Sequence, residues 1–195
     1  MNPPGKSKEL LKEISSLELD VRRKQAKLAG LRKKLPSTES NDYIFHDKEG
    51  QEVRLSDLFG KSDELMVVHN MGKSCTGCTL WADEYNGVIS HLESRVPFVV
   101  VSPDEPPVMK EFSEKRNWKF QILSSKLNSF KRDMGFENAK GNPVPGVSVF
   151  TKDKKGKIFH YSSAMFGPGD SFCAVWHYFD LLPGGRKKWN PKFSY

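Results

Sequence analysis

Cys75 and Cys78 are the residues whose type and spacing point most directly to chemistry. Thiol exchange needs a thiolate that attacks and a second thiol near enough to resolve the mixed disulfide. A C-x-x-C pair offers both. The apolar run Met66-Val67-Val68-His69 ahead of it reads as a buried strand that breaks at Gly72, and a helix begins at the cysteines. Unpaired N–H groups and the dipole at a helix N-terminus favour a negative sulfur, lowering a cysteine pKa from ~8.5 toward roughly 3.5–7.5. Cys75, in the first turn, is therefore the expected nucleophile. Cys78, one turn further in and more buried, is the expected resolving thiol.

Two neighbours stand beside the pair. Lys73 either adds a positive charge that lowers the Cys75 pKa further or is a solvated loop lysine. His69, at the end of the strand, either shuttles a proton during exchange or is a strand-end histidine with structural partners. The third cysteine, Cys173, lies in a helical apolar stretch and reads as a small core residue. Zinc is the first rival use of a C-x-x-C, but a structural site needs four ligands and no second paired motif exists here. No metal and no cofactor is expected.

The elements that must position these residues follow an α/β order. Tyr43–His46 and Gln51–Leu55 read as a hairpin turning at Glu49-Gly50, and Ser56–Gly60 as a single helical turn. Leu65–His69 and Val96–Ser102 are buried strands, continuous and apolar. Between them, Trp81, Tyr85, Val88, Ile89 and Leu92 mark the inner face of a helix. A helix over Val108–Arg116, a strand over Lys119–Leu123 and a helix over Leu127–Met134 follow. Strands at Val147–Thr151 and Lys157–Ser162 flank a turn at Asp153–Gly156. A last helix is capped by Asp170, with Phe172, Val175, Trp176 and Phe179 inward. This alternation predicts a sheet with helices on both faces. It divides the chain into a basic amphipathic helix (1–36), an α/β domain (37–185) and an irregular basic and aromatic tail (186–195).

Charge is placed unevenly. Of the net +7, residues 1–35 carry ten Lys/Arg against four Asp/Glu, leaving 21 against 20 for the rest. Leu10, Ile14, Leu17, Val21, Leu28, Leu31 and Leu35 follow a heptad spacing from Ser7 to Pro36, with Lys24 in the missing position. Such a helix either lies on its own domain or makes a homodimer through residues 7–35. Interleaved aromatics are missing from its basic residues, so nucleic-acid binding is not expected. No apolar run approaches the ~20 residues that span a bilayer, and the N-terminus has no apolar signal core, so no membrane partner and a cytoplasmic location are expected.

Several of these stretches resemble a known family. Cys75-x-x-Cys78 followed by Trp81-Ala82-Asp83, then Phe98-Val99-Val100-Val101-Ser102, Gly146-Val147-Ser148-Val149-Phe150 and the ending Phe179-Asp180-Leu181-Leu182-Pro183-Gly184-Gly185-Arg186 are similar to the thioredoxin-like group catalogued as domain of unknown function 899. The resemblance implies a thioredoxin-like fold, a central mixed sheet flanked by helices. It also implies a cis-proline beside the dithiol. That role falls to Pro145, with Pro143 as competitor. Trp81 and Asp83 complete the family-like motif, Trp81 as a packing residue and Asp83 as a polar contact near the site.

Three functions stay open. The first is a thiol–disulfide oxidoreductase acting on a protein or small-molecule disulfide, with an external thiol as reductant. The second is a peroxiredoxin-like peroxidase, although Gly72-Lys73-Ser74 stands where a proline-and-threonine lead is usual. The third is a thioredoxin-fold interaction module assembling through its N-terminal helix.

Overall fold

A computed structural model describes residues 4–195, which part into two units between Pro36 and Ser37. The first unit is helix α1, Pro4–Arg32. It begins ahead of Ser7, which is therefore not its cap, and ends before the expected Leu35. Pro36 disfavours helical geometry at the residue preceding it, so the chain leaves the helix through tighter bonds, Lys34 N–H to the Leu31 carbonyl at 2.9 Å and Leu35 N–H to that of Arg32 at 3.2 Å. Leu10, Ile14, Leu17, Val21, Leu28 and Leu31 are all exposed.

The second unit is built on one mixed sheet. Its strands are β1 (Thr38–Glu39), β2 (Ile44–His46), β3 (Glu52–Arg54), β4 (Glu64–His69), β5 (Phe98–Ser102), β6 (Gln121–Ser124), β7 (Gly146–Lys152) and β8 (Ile158–Met165), and they lie in the order β1-β8-β7-β4-β5-β6-β2-β3. β4, β5 and β6 run parallel, joined by crossovers that contain α2 (Thr76–Glu93) and α3 (Pro106–Lys115); β7 lies antiparallel to β4. A single helical turn, α4 (Phe130–Asp133), precedes β7, and α5 (Ala174–Asp180) follows β8. This is a thioredoxin-like α/β fold.

Strand alternation sends side chains into two cores. Phe98 and Val100 of β5 pack with Trp81, Ala82, Tyr85 and Ile89 of α2, Met109 of α3 and Trp176 of α5. Val99 and Val101 pack on the other face with Leu65, Val67, Phe45, Phe59, Phe130 and Phe150. All five β5 residues are buried, as a strand covered on both sides must be.

Several expectations are corrected. Val88, expected inward, is exposed, and the inner face of α2 is carried by Trp81, Tyr85 and Ile89. The helix expected over Leu127–Met134 is only one turn, because Asn128 turns its side chain onto the backbone, donating to the Ile44 carbonyl at 2.6 Å and accepting from Phe130 N–H at 3.1 Å. Asp170 does not cap α5. Its carboxylate closes a local turn by accepting from Gly167 and Phe172 N–H, while Cys173 takes the cap position and the Glu84 carboxylate receives Ala174 N–H at 2.9 Å. Residues 186–195 form no helix or strand but pack on the body. Trp189 sits against Trp176 and Phe179, and Phe193 against Phe112.

Candidate active site

The site lies where β4 ends and α2 begins. Asn70 turns the chain out of the strand and accepts Gly72 N–H at 2.7 Å. Gly72 has φ +99, which favours glycine, and a Cβ there would crowd the Asp104 carboxylate at 3.0 Å. Asp104, just after β5, anchors the loop by accepting Lys73 N–H at 2.7 Å and the Ser102 hydroxyl at 2.9 Å. The loop so held delivers Cys75 to the N-cap of α2.

Cys75 is in extended geometry (φ −92, ψ 104), and its Sγ accepts Cys78 N–H at 3.0 Å, taking the part of a capping oxygen. It is half-buried, whereas Cys78 is buried, and all three cysteines are free. A hydrogen bond from the Cys78 thiol is the largest influence on Cys75. With the backbone N–H groups of Cys78 and Gly77, it overcomes burial and brings the Cys75 thiol down to about 7. The same hydrogen bond holds the proton on Cys78, whose pKa is pushed well up, with burial and the negative Cys75 adding to it; Met71 N–H, 3.4 Å from its Sγ, acts the other way. The two thiols therefore differ in the sense that an attacking and a resolving cysteine require.

The supporting residues are placed as follows. The Lys73 side chain is exposed and lines a cavity of about 670 Å³ beside the loop, together with Asp83, Phe112, Lys115, Arg116 and Phe193. The hydrogen bonds that lower Cys75 come from Cys78 and Gly77. His69 is fully buried, but it faces away from α2. Its ring is stacked between Phe136 (3.7 Å) and Phe130 (5.2 Å), and Nε2 meets the Ser148 hydroxyl at 2.9 Å. Alternation along β4 explains this, since Val68 points into the α2 core while Leu65, Val67 and His69 point into the other. Burial, helped by Lys131 and His160, holds His69 well below its ordinary pKa and so neutral. A ring so enclosed among aromatics fits the structural reading of His69 rather than proton shuttling.

Trp81 is buried against Phe166 at 5.5 Å, one turn beyond Gly77, where a Cβ would sit 3.3 Å from its ring. Asp83 is an anchor. Its carboxylate receives the Arg116 guanidinium through Nε and Nη2 and the Trp118 Nε1–H at 2.8 Å, tying α2 to the end of α3. Pro145 sits at the start of β7, just before Gly146, which pairs with His69, and so lies at the site end of the sheet. Its expected cis bond is not found: every peptide bond among the described residues is trans. Val144 N–H bonds to the Phe136 carbonyl at 2.9 Å and Phe166 N–H to the Pro145 carbonyl at 3.0 Å, which carries an extended trans course straight into the strand.

Asp104 was not anticipated, and neither was a second polar residue of the site. Lys131, on α4, is 4% exposed, and its Nζ donates to the Asn70 carbonyl at 2.6 Å. Burial pulls its pKa down to about 7, against the upward pull of Cys78, Glu137 and Asp104. In the sequence it stands in Lys131-Arg132-Asp133, a charged run that reads as solvated. Among the described residues no three His, Cys, Asp or Glu side chains gather to hold a metal ion, and no helix is long and apolar enough to cross a membrane.

The fold is of the thioredoxin class, and solved peroxiredoxins share it. Peroxidoxin BcpB from Mycobacterium tuberculosis superposes with a TM-score of 0.54 at 22% identity, over 71% of this chain and 88% of that one. AhpC from Enterococcus faecalis gives 0.54 at 17%, over 69% and 82%, and a peroxiredoxin-like protein from Aquifex aeolicus 0.53 at 21%, over 66% and 74%. No curated protein matches significantly. The family described as "Bacterial protein of unknown function (DUF899)" matches residues 6–194, and the chain belongs to it.

Proposed function

We propose that the protein is a thiol–disulfide oxidoreductase working through Cys75 and Cys78. The Cys75 thiolate attacks one sulfur of a substrate disulfide, R–S–S–R, forming Cys75–S–S–R and releasing R–S⁻, which takes a proton. Cys78, deprotonated, then attacks the Cys75 sulfur and releases the second R–S⁻. The substrate gains two electrons, its two R–S⁻ groups exchange with solvent the two protons that the cysteines give up, and the enzyme is left with a Cys75–Cys78 disulfide that an external thiol reduces. The observation that carries this reading is the unequal pair, a half-buried Cys75 held at about 7 at a helix cap and a buried Cys78 that keeps its proton.

Peroxide is the second candidate oxidant, supported by the peroxiredoxin names of the structural neighbours. Cys75 would be oxidised to a sulfenic acid as peroxide becomes alcohol or water, and Cys78 would condense with it, releasing water. Single turnover of the pre-reduced full chain against the disulfide DTNB and against hydrogen peroxide, with no other thiol present, separates the two. Cys75→Ser is expected to abolish both. Turnover that survives Cys75→Ser, or none in the parent, would overturn the dithiol reading and leave an interaction module. A reducing compartment such as the cytoplasm suits a protein that relies on a free dithiol. The exposed apolar seam of α1 supports pairing with a second copy through residues 7–35.

A further inference from the structure

We infer that Lys131 is a positioning residue of the resolving step, the buried counter-charge that stabilises Cys78 as a thiolate. The inference rests on the dithiol reading above. The segment Asn70–Met71 links the two side chains, since the Asn70 carbonyl accepts from Lys131 Nζ at 2.6 Å and the next amide, Met71 N–H, points at Cys78 Sγ at 3.4 Å. Cys78 is 3% exposed and Lys131 4%. Two solvent-excluded groups that each ionise only at a cost stabilise one another when both are charged, and a buried thiolate needs such a partner.

The charged and titratable groups facing Lys131 come from four places: Cys78 on α2, Glu137 after α4, Asp104 after β5 and His69 on β4. The two carboxylates favour the ammonium, His69 is neutral, and the charge that changes during reaction is that of Cys78. In the resolving step Cys78 gives its proton to solvent. Cys78–S⁻ forms on the Asn70–Met71 segment that also holds the Lys131 ammonium and then breaks the Cys75–S–R bond. No oxidant beyond the substrate disulfide is consumed.

DTNB separates the steps, because attack by Cys75 releases one aryl thiolate and resolution by Cys78 the second. In Lys131→Met the first release at neutral pH is expected to stay within about twofold of the parent, while the second slows by about tenfold or more, the effect of removing one opposite charge. Lys131→Arg, which keeps the charge, is expected to restore part of the second release. Equal loss of both phases, or an unchanged second phase, would overturn the inference. If the parent releases neither, the dithiol reading fails instead. A measurement without any change at Lys131 is available in either event. The lysine titration followed by NMR in ¹³C-lysine-labelled protein is expected to show the Lys131 midpoint lower in Cys75→Ser/Cys78→Ala than in Cys75→Ser, where Cys78 no longer faces a negative Cys75, and equal midpoints would refute the coupling.

Discussion

The ionisation of Cys75 gives the sharpest test of the site. Its thiol is brought from 9.0 to about 7 chiefly by the Cys78 thiol. At pH 6 a group titrating at about 7 is roughly 9% thiolate, against about 0.1% for one at 9.0, an advantage of about ninetyfold. A weaker base is also a poorer nucleophile; with a Brønsted slope of about 0.4–0.5, each thiolate reacts roughly six- to tenfold more slowly, so the net gain in alkylation rate at pH 6 is about tenfold. Iodoacetamide labelling of the native reduced chain, read residue by residue by mass spectrometry from pH 5 to pH 10, should therefore show Cys75 labelled first, with an inflection near 7. Cys78→Ala removes the thiol donor but leaves the backbone N–H groups, and should move the inflection up toward 9. Cys78→Ser keeps a hydroxyl donor and should fall between the two. An inflection near 9 in the parent, one that Cys78→Ala leaves in place, or prior labelling of Cys78 would refute the reasoning.

Two further outcomes follow from other parts of the chain. The folded protein keeps His69 neutral well below pH 6.5, whereas the unfolded chain protonates it there; the unfolded state binds the extra proton, so stability is complete above about 6.5 and is lost as pH falls. Urea unfolding between pH 6.5 and pH 5 should be steeper in the parent than in His69→Phe by about 1 kcal/mol per pH unit, and equal slopes would dispose of the argument. Sedimentation of the full chain should give twice the mass of one copy, reverting to one copy in Leu17→Glu/Val21→Glu; a parent that runs as a single copy would rule out pairing through α1.

The fold was largely legible because its central strands are apolar and β-branched on both faces, which only a covered strand sustains. Val99 and Val101 on one side and Phe98 and Val100 on the other show why the pattern is continuous rather than alternating. What escaped was polar. β1 is two exposed residues, Thr38 and Glu39, held by pairing with Phe159 and His160, and nothing in their types distinguishes them from a linker. β8 runs on to Met165 through half-exposed residues whose partners lie on β7. At the site, the dithiol and its place at a helix start were readable from spacing, though Cys75 proves to be the N-cap rather than a first-turn residue. Asp104 and Lys131 were not, because each is defined by what folds against it, a loop amide in one case and a strand-end carbonyl in the other. His69 was visible as a strand-end residue, yet which face it takes depends on the phase of the strand, and that phase puts it among Phe130 and Phe136.

The hydrogen bond between the two thiols also orders the proposed reaction. While Cys75 is a thiolate it is a strong acceptor, and it is the first cause of the high pKa of Cys78, with its negative charge adding to the effect. Cys78 is thus kept protonated and out of competition for the substrate. Once Cys75 has attacked, its sulfur is bonded to a second sulfur, carries no charge and accepts a proton poorly. Two of the three influences that raise Cys78 vanish together, leaving burial alone against the Met71 N–H and Lys131. In the proposed reaction the second thiol is therefore released by the success of the first.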